Sequence, residues 1–199
     1  MADSLGVEAA REPVVPLRAR RRDWFFIAVF TIFAATSFLM DTVNLFGRPD
    51  PNSRWIMARY IYDNYAAGTD PMLIANPRFV QIGTGFVSAL IFGLFYLVLI
   101  YAFVRGRDWI RLPSIFYAGM ITANTIVYLG VGLLGDAPLF NYTCGQECDG
   151  FDYAFENAPK VLAYNGPYLV VAFLLVARMW KPKPFTGDTR STASPCPDS

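Results

Sequence analysis

The sequence predicts an all-α fold, a bundle of four transmembrane helices, and three observations carry that reading. Long apolar runs at residues 24–40, 79–104, 113–134 and 161–180 take up most of the 199-residue chain. A helix rises about 1.5 Å per residue, so roughly 20 residues cross a hydrocarbon core of about 30 Å. The chain is 54% hydrophobic and 16% aromatic, with a mean hydropathy of +0.33. That is more uninterrupted apolar sequence than a soluble domain of this size can cover. Backbone polar groups in lipid must be satisfied internally, so runs of this length read as helices.

The first run follows Arg18, Arg20, Arg21 and Arg22, a basic-then-apolar order that a signal peptide also shows. Its length argues for a retained helix, which continues past Asp41 to Phe46; Ala34 and Ala35 offer only a poor cleavage site. The second run is rich in small residues (Gly83, Gly85, Ser88, Ala89, Gly93), which let helices approach closely. Gly83-Thr84-Gly85 lacks the strand context that a dinucleotide fingerprint needs. Pro167 interrupts the fourth run, where it should kink the helix and free a carbonyl one turn back. Residues 1–22 read as a disordered basic segment, residues 23–184 as the membrane domain, and residues 185–199 as a disordered polar tail containing Cys196.

Basic residues orient a membrane protein. Arg11 to Arg22 precede the first span, Arg105, Arg107 and Arg111 separate the second from the third, and Arg178, Lys181 and Lys183 follow the fourth. With four spans these segments share one side, so both termini are expected to be cytoplasmic. The loop after the third run is acidic (Asp136, Glu147, Asp149, Asp152, Glu156), with Lys160 its only base. On that non-cytoplasmic side Asn141-Tyr142-Thr143 forms a glycosylation sequon, a pattern with a high chance rate. Cys144 and Cys148 follow it as either a disulfide or two unpaired thiols. The net charge of +1 says nothing about partners.

The chain contains no histidine, which excludes His-based triads and His-ligated metal sites; no metal, cofactor or nucleic acid is expected. The chemistry rests on polar residues at membrane depth. Asp41 closes the first run, and a carboxylate there is costly unless it faces protein, water or a partner. A solvated interfacial carboxylate is the competing reading. Asp70 lies just before the second run, and the later runs carry Ser88, Thr122, Asn124, Thr125, Tyr128, Tyr164, Asn165 and Tyr168. These could equally be interhelical hydrogen bonds, each worth around 0.6 kcal/mol.

Phe38-Leu39-Met40-Asp41 and Asp70-Pro71-Met72-Leu73 resemble the two acidic motifs of the sigma-2 receptor family. Tyr101-Ala102-Phe103, a basic loop, the stretch from Trp109 to Tyr117, and Pro167-Tyr168-Leu169 follow the same pattern in the same order. The resemblance covers residues 23–184. It points to the EXPERA superfamily, which also holds the emopamil-binding sterol isomerases, with the sigma-2-receptor (transmembrane protein 97-like) branch closest. What it implies is a bundle in the endoplasmic reticulum membrane with a ligand cavity opening toward lipid. It also implies that Asp41 meets a ligand amine, that Asp70 supports it by hydrogen bonding, and that the natural ligand is a sterol.

The departures are specific. Ser88 stands where both relatives carry a glutamate, and the isomerases' histidine has no counterpart. Asn165 is similar to an asparagine of the isomerases, where sigma-2 receptors carry tyrosine. The expected ligand-binding set is therefore Asp41, Asp70, Ser88, Asn124, Tyr164, Asn165 and Tyr168. The expected function is non-enzymatic binding of a sterol or amphiphilic amine in lipid homeostasis or trafficking. An isomerase with altered acid/base residues and a purely structural membrane protein are the alternatives. A membrane-protein partner and a homodimer stay open.

Overall fold

A computed structural model describes residues 14–134 and 153–186. Asn141, Cys144, Cys148 and Cys196 lie outside the described residues. Among the described residues four helices are long and apolar enough to cross a membrane: α1 (Arg21–Phe46), α4 (Arg78–Arg105), α5 (Asp108–Leu134) and α6 (Ala158–Arg178). Two short helices, α2 (Ile56–Ile61) and α3 (Pro71–Ala75), lie between α1 and α4. This is the architecture of a multi-pass membrane protein.

The long helices pack mainly as two pairs, α1 with α4 and α5 with α6. Neither α1 nor α4 is regular throughout. Ser37–Asp41 in α1 and Gln81–Phe92 in α4 wind as wide π-helix, and the two stretches face each other. Glycine allows that approach: a Cβ on Gly85 would lie 2.8 Å from the backbone nitrogen of Leu45. Threonines of α1 hydrogen-bond back into the helix, Thr31 to the Ile27 carbonyl at 2.8 Å and Thr42 to the Phe38 carbonyl at 2.8 Å. A hydroxyl facing lipid is satisfied in this way without a partner helix.

The core falls into two parts. Toward the basic end, Phe26, Phe30, Phe92, Tyr96 and Phe103 interdigitate between α1 and α4 and meet Ile121 of α5 and Leu175 of α6. At the opposite end, Val43, Ala58, Ile61, Met72, Leu73 and Val80 pack α2 and α3 under the ends of α1 and α4. Pro71 opens α3, where its missing N–H costs nothing. Asn76 closes it in the left-handed region at φ 46°, a conformation asparagine tolerates better than most residues. The Asn76 side chain donates to the Asn44 carbonyl (3.0 Å) and accepts from the Asn44 amide (3.1 Å), clipping α3 to the end of α1.

The basic end is sealed by ions. Asp23 is fully buried and accepts from Arg20, and from Arg178 at 2.8 and 3.1 Å. The Phe185 ring lies between those two guanidinium groups, 5.0 and 5.1 Å from its centroid. Arg20 also donates to the Phe103 carbonyl at 2.9 Å, and Arg111 to the Met179 carbonyl at 3.1 Å. The three basic segments of the sequence therefore meet at one end of the bundle. The part of the presumed disordered N-terminal segment from Val14 on is held in this seal, with Val15 donating to the Phe185 carbonyl at 3.0 Å. Phe185 itself, assigned to the tail from sequence, is buried.

Candidate functional site

Between the two helix pairs lies a cavity of about 510 Å³, roofed at the acidic end by α2 and the π turn Tyr62–Ala66 that follows it. That volume falls within the range of about 300–1,000 Å³ that suits a small-molecule ligand. The apolar wall comes from Ile32 and Phe33 of α1, Phe92 of α4 and Ile121 of α5. The polar wall has contributions from every long helix.

Asp41 lines the cavity at the end of the π turn of α1 and is half-buried. It accepts a hydrogen bond from Ser88 of α4 at 2.5 Å. Among the described residues no ion pair neutralises it. Thr84 lies one turn from Ser88 on the same wall; Asn124 and Thr125 face them from α5. Pro167 of α6 and Ala163, whose carbonyl loses its helical donor to the proline, line the opposite side. Tyr168 spans the gap between α6 and α1, its hydroxyl 3.3 Å from Thr36 and its ring 4.3 Å from that of Phe33.

Asp70 does not line the cavity. It is fully buried behind the wall, where its Oδ2 accepts from Tyr128 at 2.5 Å and Tyr65 at 3.4 Å. Among the described residues its Oδ1 has no hydrogen-bond partner. Burial pushes its carboxyl up to about 6, with Tyr128's hydrogen bond the main opposing influence. Burial first, and the Asp70 charge second, push the Tyr65 hydroxyl well above its ordinary range. Asn165 reaches the same network, 3.5 Å from the Tyr65 hydroxyl, and also donates to the Val161 carbonyl at 3.0 Å. Lys160, in the first turn of α6, closes the roof: it donates to the Asn64 carbonyl at 2.9 Å and lies over the Tyr65 ring.

The structure thus brings Asp41, Ser88, Asn124, Tyr164, Asn165 and Tyr168 to one cavity, and sets Asp70 one layer behind it. Sequence reasoning did not select Tyr65, Asn64 or Asn44, which also line it. Tyr65 and Asn64 belong to a polar connection between spans, where no periodicity marks a residue as facing inward. Asn44 was visible only as a polar residue in the last turn of α1. Among the described residues there is no His, Cys, Asp and Glu cluster able to hold a metal ion.

No curated protein matches the chain. The family model described as EXPERA, the expanded EBP superfamily, matches residues 53–179. The matched stretch runs from just before α2 to just past α6 and includes Asp70, Ser88, Asn124, Tyr164, Asn165 and Tyr168; α1 with Asp41 precedes it. With well over half of its length matched, this chain belongs to the EXPERA superfamily.

Proposed function

We propose that this protein is a sigma-2-receptor-like member of the superfamily, resident in the endoplasmic reticulum membrane. It binds a sterol or an amphiphilic amine in the bundle cavity without transforming it, and acts in lipid homeostasis or trafficking. The observation that carries the reading is the Asp41–Ser88 pair, a carboxylate at membrane depth that lines a cavity and has no counter-ion among the described residues. In a low-dielectric site such a group gains far more from a ligand's cation than it would in water. The apolar side chains of α1 and α5 suit a ring system or acyl chain, and the rings of Tyr65, Tyr164 and Tyr168 offer cation–π faces.

The same site argues against sterol isomerisation. Double-bond migration needs a proton donor and an acceptor, both tuned and within reach of the reacting carbons. Among the described residues Ser88 has no base beside it other than Asp41, which it already serves as a donor. The hydroxyls of Tyr128 and Tyr65 are also bonded to a carboxylate, and their protons are committed to Asp70.

The test is saturable binding of a radiolabelled sterol and of a cationic amphiphile to the purified full chain in detergent. Asp41→Asn should weaken the amphiphile by about 3–5 kcal/mol, because one partner of a buried charge pair is removed. Wild-type affinity in that variant would return Asp41 to a solvated interfacial residue. Expression in a sterol-isomerase-deficient cell should leave its sterol profile unchanged; rescue would establish the enzyme reading.

A further inference from the structure

Asn124 lines the cavity opposite the carboxylate pair, and among the described residues its side chain spends none of its hydrogen-bonding capacity. Its side chain packs across the seam onto α4, with Oδ1 3.0 Å from where a Cβ of Gly83 would stand. Among the described residues its amide has no hydrogen-bond partner, and it lines the cavity. An amide at membrane depth carries two N–H donors and a carbonyl acceptor, and leaving them unmade is expensive.

The winding of α4 decides how this amide stands relative to Asp41. Gly83 and Ser88 are five residues apart, and both lie in the π-helical stretch Gln81–Phe92. In a regular helix five steps of 100° would set them about 140° apart around the axis. With i→i+5 hydrogen bonding they fall one above the other. Ser88 holds Asp41 at 2.5 Å and Gly83 seats Asn124, so the two α4 positions that meet these polar groups lie roughly one helical turn, about 5 Å, apart along the helix.

We propose that the cavity reads two polar groups of one ligand: Asp41 takes an ammonium, and Asn124 takes a second group, a hydroxyl or an amide, about three methylenes away. The ligand class is a long-chain amino alcohol or amido amine, in preference to an amphiphile with a single polar group. This rests on the binding reading above and narrows its ligand. The Asn124 amide is suited to the second role because it can donate to a carbonyl or exchange both roles with a hydroxyl.

The experiment compares two compounds on the purified full-length chain in detergent. One is octadecylamine bearing an N-butyl chain; the other replaces the terminal methyl of that chain with a hydroxyl. Apolar burial favours the first, so a preference for the second needs a polar partner. The wild-type chain should bind the hydroxyl compound about five- to tenfold more tightly, the effect of one added hydrogen bond. Asn124→Leu should bring that ratio to one or below. Equal affinities in the wild type would overturn the proposal and leave the binding reading standing, with water alone satisfying Asn124. A preference that survives Asn124→Leu would overturn it too. Saturable binding of neither compound would overturn the binding reading itself and this proposal with it. The wild-type comparison decides the matter even if the variant fails to fold.

Discussion

Asp70 shows how one buried carboxyl makes a membrane protein's stability depend on pH. Its carboxyl rises from an ordinary 3.8 to about 6 because burial penalises the charge. The folded state therefore holds the proton more tightly than the unfolded chain. That contribution is complete below about pH 4 and is lost as pH rises through about 6. The thermal midpoint in detergent should accordingly fall between about pH 4 and about pH 6.5 and then level off, with at most about 3 kcal/mol at stake. Asp70→Asn keeps an acceptor for Tyr128 and removes the charge, so its midpoint should fall less over the same interval. An equally steep fall in the variant would assign the pH dependence to other groups. Asp23, also fully buried, is instead surrounded by two arginines, and that ion cluster fixes how the helix ends meet.

Close approach between helices separates two kinds of glycine. Gly85 sits where α4 meets α1, and an added Cβ would stand 2.8 and 2.9 Å from the backbone nitrogen and Cα of Leu45. Backbone cannot rotate aside, so Gly85→Ala should force the pair apart at a cost of about 1–3 kcal/mol. It should weaken amphiphile binding as well, since the Asp41–Ser88 contact bridges the same seam. Gly119 of α5 meets nothing within 4 Å, and Gly119→Ala should be neutral or stabilising by about 0.4–1 kcal/mol. Thermal midpoints of the two variants should therefore move apart. Equal shifts would mean that the α1–α4 seam yields more readily than its packing implies. The π stretches of α1 and α4 belong to the same seam, and they bring Asp41 and Ser88 face to face.

The molecule has an electrically distinct end. Arg20, Arg111 and Arg178 are joined to one another through Asp23 and the carbonyls of Phe103 and Met179. Arginine-rich ends stay in the cytoplasm, so both termini are expected there and the roof formed by α2 and the π turn after it on the other side. In sealed microsomes an added protease should remove tags from both termini together. Removal of one tag with protection of the other would require an odd number of crossings and contradict the bundle.

Composition and run length were enough to foresee four spanning helices, because a hydrocarbon core imposes one rule on any chain that crosses it. The position of Asp41 at the end of the first span, and the polar residues of the later spans, could be read for the same reason: a polar group in an apolar run stands out. The arginine clusters told which segments share an end. Partnership was not legible. Nothing in Thr69-Asp70-Pro71 says that Asp70 turns away from the cavity onto Tyr65 and Tyr128, since that follows from how α3 packs beneath α1. Nor does the helical period place Gly83 in line with Ser88; the π winding does. The seal of Val15 against Phe185 joins residues at opposite ends of the chain. Hydrophobicity acts on each segment alone and is written locally, whereas register, winding and hydrogen-bond partners are settled between segments when they pack.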